Sequence, residues 1–367
     1  MPQNKSHHYV PQVYMRLFAR SGDNRIGVFV IDRRKFIPGA PIKGQASRDY
    51  FYGKDGRTER ALGDIEGQVA RIFGKVVRDR RLPAAASQDH EWLIFYLGMQ
   101  HARTVGAAEQ HNEGSEKVVK SILRTKAKLE GNSEMVETLD RVRIGRTNAV
   151  SELMGYTAMG ASLLADLKLV LIENGSAVPF IASDTPVVFH NRLYEGQHIS
   201  VTGYANVALQ LFLPLGPRLA LFGFDAAAYE VATDVREVVQ LDDVSDVTLI
   251  NDLQWESAHA VMLTAPETPE HLLQASAAAW AAPRQRERTV FRETVVDQSD
   301  HQLRIQHGSG AAPSTVILDL SFVRCILPPP EPLGVWDIPP FRDVNRVARV
   351  NSMFEEMELR RAGPVAG

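Results

Sequence analysis

The chain has 367 residues, 44% hydrophobic and 23% charged, with 41 Lys+Arg against 44 Asp+Glu. This composition excludes collagen-like and low-complexity chains, and no stretch approaches the ~18 uninterrupted apolar residues of a membrane span. A single cysteine, Cys325, excludes an intramolecular disulfide and a thiolate zinc cluster within one chain.

In the opening MPQNKSHHYVPQ, which lacks the apolar core of a signal peptide, the expectation is an extended arm that feeds a short helix after Pro11, with Val13, Tyr14, Leu17 and Phe18 on one face. Ile26 to Ile31 reads as a buried strand. A Pro/Gly-punctuated loop follows through Pro38, Gly39, Pro41 and Gly44 to the aromatic run at Tyr50, Phe51 and Tyr52. Helical spacing runs from Thr58 to about Arg81, and Ser87 with Asp89 and Glu91 opens a second helix to about Ala108. Residues 112–145 suit exposed helices, and helix continues from Val150 to Leu164.

Beyond that point the period turns extended: Lys168–Glu173, Val178–Ala182 and Val187–His190, with Asn174-Gly175 as a turn, then a hairpin of Val207–Leu213 and Leu219–Phe224. Asp243 to about Met262 returns to helical spacing. From residue 276 (SAAAWAAPRQRERTV) the composition shifts, leaving two or three strands, a soft HGSGAAPS loop, and Cys325 as a buried thiol. The expected architecture is α+β: a main domain over 1–275, with helices at about 58–165 packed on a mainly antiparallel sheet at about 166–265, and an accessory extension over 276–367.

Charge divides unevenly. Residues 1–150 carry 26 Lys+Arg against 17 Asp+Glu, a balance of +9, and the rest 15 against 27, or −12. A cationic surface there attracts phosphate-bearing partners, or docks on the acidic half.

Polar residues sit where helices should be apolar. With Leu62 as reference, Ile65, Val69, Phe73 and Val76 form a stripe, and Glu59 and Glu66 fall within about 60° of its centre. In the second helix, Gln100 and Arg103 share the face of Trp92, Tyr96 and Met99. Buried charge needs a partner, so Arg103 is expected to fork onto Glu66 or Glu59, either as a structural ion pair or in a functional cleft. In an extended arm His7 and His8 point to opposite sides. Asp184, in Ser183-Asp184-Thr185-Pro186, sits at a strand end as a site carboxylate or an Asx turn. No dinucleotide fingerprint, Walker A loop, nucleophile elbow or HExxH helix occurs, so no nucleotide cofactor is expected.

The segments HHYVPQVYMRLFA, RDYFYG, ERALGDIEGQVARIFGKV, QHART, IASDTPVV, LPLGP and INDLQWESAHAVMLT, in this order, resemble the bacterial domain-of-unknown-function family 4238 over about residues 5–265. The resemblance implies a shared fold and shared polar positions His8, Glu66, Gln100, Arg103 and Asp184, and no activity.

The functional expectation is a hydrolase acting on an anionic, phosphate-containing substrate, as a nuclease or phosphohydrolase. Its catalytic residues would be His8, Glu66 and Asp184, and its substrate-binding residues His7, Gln12, Gln100 and Arg103. Glu59, Glu66 and Asp184 are candidate ligands for Mg²⁺ or Mn²⁺. The alternatives are a non-catalytic nucleic-acid- or protein-binding module, with the polar network structural, and a small-molecule enzyme that grips a carboxylate through Arg103. A cytoplasmic protein is expected.

Overall fold

Helical periodicity in the first half and short apolar runs in the second sort the chain into layers. The structure, a computed structural model, describes residues 5–299, 302–334 and 336–362. The chain opens with β1 (Ser6–His8), α1 (Gln12–Met15), β2 (Arg25–Val30), β3 (Lys35–Pro41) and β4 (Ser47–Asp49). Helices follow: α2 (Arg57–Asp79), α3 (Gln88–Ala102), α4 (Val105–Leu129), α5 (Ser133–Arg141) and α6 (Ala149–Gly160). Next come β5 (Lys168–Asn174), β6 (Ala182–Ser183), β7 (Val188–His190), β8 (Gln210–Pro214), β9 (Leu219–Phe224), β10 (Tyr229–Val231) and β11 (Val238–Leu241). Then α7 (Val244–Ser257), β12 (Val261–Thr264), α8 (Glu270–Ala279), β13 (Thr289–Ser299), β14 (Gln302–Ala311), β15 (Val323–Cys325) and α9 (Val344–Ala362) complete an α+β fold.

Two sheets carry it. One has the order β11-β5-β9-β8-β7, antiparallel except for the parallel β11–β5 pair; the other, β3-β2-β12-β6, is antiparallel throughout. Every residue of β8 and β9 is buried, so both faces of the larger sheet are covered. Alternation divides the side chains between them. Leu211, Leu213 and Leu221 join Tyr14, Phe73 and Leu97 beneath the helices, while Phe212, Ala220 and Phe222 join Trp255 of α7 and Val316, Leu318 and Leu320 from the C-terminal stretch. Truncating any of these buried leucines to Ala costs about 2–5 kcal/mol.

The N-terminal arm locks onto this sheet. Tyr14 donates from Oη to the Pro214 carbonyl at 2.8 Å. Gly216, in the β8–β9 turn at φ 125°, lets the backbones meet: a Cβ there would stand 2.7 Å from the Leu17 carbonyl oxygen.

Several local expectations are corrected. Pro38 to Pro41 belong to β3, an edge strand, where a missing N–H faces no partner. The second helix stops at Ala102, because Thr104 caps α4 by accepting the Ala107 N–H. The helix expected to reach Met262 ends at Ser257, and Met262 lies in β12. His307 to Ala311, expected in a soft loop, complete β14. Cys325 is exposed in β15 rather than buried. The α9 helix was not anticipated.

The C-terminal stretch wraps the body. β15 pairs with β10, and Arg342 binds Asp166 and the carbonyls of Leu163, Asn206 and Tyr204. Phe354 of α9 meets Tyr156 of α6 at 5.7 Å. Among the described residues no helix is long and apolar enough to cross a membrane.

Candidate functional site

The antiparallel β1–β4 ladder sets His7 opposite Arg48 and His8 opposite Ser47, turning the two rings to opposite sides. His7 is buried, stacks on Tyr52 at 5.7 Å, and accepts the Tyr52 N–H at Nδ1. His8 Nδ1 stands 3.0 Å from the Gln45 carbonyl oxygen, and a carbonyl only accepts, so Nδ1 carries the proton. Nε2 is then the acceptor for Gln12 Nε2 at 2.9 Å. Burial holds the His8 pKa below its usual value, in keeping with a neutral ring. Both ring nitrogens are occupied by protein, and Gln12 is spent on His8 and on the Arg16 guanidinium.

The His8 backbone, rather than its ring, meets Arg103. The Arg103 guanidinium, 1% exposed, donates from Nη2 to Glu66 Oε1 at 2.7 Å and to the His8 carbonyl at 3.5 Å, and from Nε to the Tyr9 carbonyl at 3.3 Å. Gln100 Nε2 donates to the same Tyr9 carbonyl at 3.0 Å. Burial works against the Arg103 charge, but Tyr52, Glu66 and Tyr96 around it raise its pKa overall. Glu59, half-buried nearby, is pushed up by burial. The expected Arg103, Gln100 and Glu66 cluster therefore exists, and it fastens the arm to α2 and α3.

Asp184 is fixed elsewhere. Its Oδ1 accepts the His259 N–H at 2.7 Å, and its Oδ2 those of Ala260 and Val261 at 2.9 and 3.3 Å. Burial raises its pKa, and these three donors oppose the rise. Gln254 and Asn251 of α7 complete the corner by bonding the backbone of Ser183, Ile181 and Pro179. The SDTPV segment and the α7 segment are thus partners in one backbone-satisfying joint. Asp184 makes no hydrogen bond to the Arg103 cluster. Among the described residues no group of three or more His, Cys, Asp or Glu gathers as a metal-binding set, so Glu59, Glu66 and Asp184 do not form one donor set.

A cavity of about 160 Å³ lies between α4, the end of α7 and the stretch after α8. Arg284, Arg286 and Arg288 line it with a single carboxylate, Glu256. That carboxylate is already engaged by Arg286 at 2.6 Å and by Ser314 and Thr315. Among the described residues Arg284 donates to the carbonyls of Trp255, Ala258 and His259, and Arg288 to those of Ser257 and Ala258. Each guanidinium has five N–H donors, so both keep donors in reserve. Burial and the neighbouring Arg288 draw the Arg284 pKa down, against weaker support from Asp184 and Asp32.

The first turn of α4 opens on the same cavity through Gly106 and Ala107; the Ala107 N–H is taken by the Thr104 cap, and those of Val105 and Gly106 have no intrahelical acceptors. Thr185, 8% exposed, also lines it, and its Oγ1 has no hydrogen-bond partner among the described residues. A Cβ on Gly106 would stand 3.1 Å from that hydroxyl. His101 is a further lining residue: Tyr204 Oη takes its Nδ1 at 3.0 Å, and burial pushes its pKa down to about 4.

Sequence reasoning missed these arginines. Arg284, Arg286 and Arg288 were visible only as a composition shift, although every second residue being arginine was itself a signal for a cationic edge. His101 sat unremarked beside Arg103 in QHART.

A protein-family profile described as "Protein of unknown function (DUF4238)" matches residues 6–267. No curated protein and no solved structure matches the chain.

Proposed function

The chain belongs to the DUF4238 family, and from its geometry we propose that it is a hydrolase of an anionic, phosphate-bearing small molecule held in the arginine cavity. One observation carries the reading: two half-buried arginines, Arg284 and Arg288, face a cavity whose one lining carboxylate among the described residues is already paired. An oxyanion there gains charge-assisted hydrogen bonds from both guanidinium groups and from the α4 N-terminus. His101, with Nδ1 held by Tyr204, is the group that takes a proton from attacking water and returns it to the leaving alkoxide as the phosphorus–oxygen ester bond breaks, so that an alcohol departs. A bound phosphate raises the His101 pKa from its depressed value, bringing the ring closer to a useful base.

The test is a panel of phosphate mono- and diesters. Turnover by the wild type that falls at least tenfold in both Arg288→Gln and His101→Gln is expected; turnover unaffected by either change contradicts the reading.

A second reading, a nucleic-acid-binding module, is favoured by Arg33, Arg34 and Lys35, which are exposed at the β2–β3 turn with no ion pair among the described residues. Binding there would weaken steeply with salt and survive Arg288→Gln. The exposed single thiol of Cys325 suits a reducing cytoplasm.

A further inference from the structure

The arginine cavity does not stand alone. A second cavity of about 420 Å³ adjoins it, sharing His101, Ala107, Gln110, Thr202 and Ala311 in their linings. The first is smaller than the ~300–1,000 Å³ of a typical ligand pocket, and the second falls inside that range. The first therefore has room for a charged head group, and a body attached to it must enter the second.

The two linings differ in chemistry. No Lys, Arg, Asp or Glu lines the second cavity among the described residues; its wall is mixed, with the hydroxyl-bearing Ser115, Thr157, Ser200, Thr202, Thr289 and Ser309 set among apolar groups. Thr289 is 4% exposed, and its Oγ1 has no hydrogen-bond partner among the described residues. So each lobe holds one orphaned buried hydroxyl, Thr185 in the first and Thr289 in the second. A buried polar atom without a partner is costly, and a ligand hydroxyl or oxyanion that reaches it as the wall adjusts would offset that cost. Gly114 permits the second lobe to form where α4 meets the hairpin: a Cβ there would stand 3.0 Å from Ser309 Oγ.

We propose that the ligand is a phosphorylated polyhydroxy compound of the sugar-phosphate class, its phosphate in the arginine lobe and its hydroxyl-bearing body in the hydroxyl-lined lobe. This rests on the anion site proposed above and specifies what the anion is attached to. Gln110, whose Nε2 donates to the Arg288 carbonyl at 2.9 Å, stands at the junction and couples the two lobes.

The experiment is calorimetric titration of the full chain with inorganic phosphate, ribose 5-phosphate, glucose 6-phosphate and the two free sugars. At least one sugar phosphate is expected to bind ten times more tightly than inorganic phosphate, and the free sugars weakly. Thr289→Val, which removes the orphaned hydroxyl at constant size, and Ser115→Leu, which fills the lobe from a helical position, are each expected to cut that margin below threefold; their thermal midpoints check folding. Sugar phosphates no tighter than inorganic phosphate, or a margin unchanged in both folded variants, overturns the inference while the anion site stands. No binding of any anion overturns both.

Discussion

Arg103 Nη2 lies 2.7 Å from Glu66 Oε1, and the same guanidinium reaches the carbonyl oxygens of His8 and Tyr9. One side chain thus joins α2, the end of α3 and the N-terminal arm, with 1% of its surface exposed. Removing it would strand a carboxylate and free two backbone acceptors. Arg103→Leu is expected to destabilise the fold by about 3–5 kcal/mol, and Glu66→Gln, whose side chain is 28% exposed, by about 1–3 kcal/mol. Urea denaturation of both variants and of the double variant measures the coupling, and single-variant losses under 0.5 kcal/mol would contradict the anchoring role.

Asp184 accepts three consecutive backbone N–H groups, from His259, Ala260 and Val261. Asp184→Asn replaces one acceptor oxygen with an NH₂ that opposes a backbone N–H. The expected loss is about 2–4 kcal/mol, read as a lower denaturation midpoint. A midpoint equal to wild type would show that the carboxylate is not the clamp of the β6–β12 corner.

Stability is expected to fall in mild acid. Burial depresses the His101 pKa from 6.5 to about 4, so between those values the unfolded chain binds a proton that the folded chain refuses. The contribution is complete above pH 6.5 and is lost as pH drops toward 4. His8, His90 and His111, all lowered by burial, act in the same direction. Asp184, raised by burial above 3.8, gives a slope of opposite sign. His101→Gln should remove up to about 3 kcal/mol of the difference in unfolding free energy between pH 7.5 and 4.5. An unchanged difference would contradict the burial of a neutral ring.

Cys325 is exposed, so the native protein should react fully with a thiol reagent without denaturant. Protection until unfolding would contradict its placement on β15.

The helices were legible because α2 buries a regular stripe and α3, buried on most sides, opens on a Ser87 cap with an acidic first turn, and the β8–β9 hairpin because its runs are continuously apolar. Glu66, Gln100 and Arg103 could be read as a cluster for the same reason: polar groups on an apolar stripe must find partners. The partners themselves were not legible. That His8 would offer its carbonyl while its ring went to Gln45 and Gln12 depends on the β1–β4 register, which no spacing reveals. The bond network of Asp184 depends on where α7 stops, and an apolar stretch such as AHAVMLT fits helix or strand equally. The arginine cavity lay further out of reach, since it is assembled from α4, the end of α7 and a stretch more than 150 residues beyond α4, three pieces with no shared local pattern.

Arg284 and Arg288 are the groups on which oxyanion binding in the cavity depends. Isothermal titration of the full chain with inorganic phosphate, in wild type and in Arg288→Gln, tests this most directly. Saturable binding by the wild type, weakened at least tenfold in the variant, or about 1.4 kcal/mol, is the predicted result. No binding by the wild type, or equal affinity in the two proteins, would contradict it.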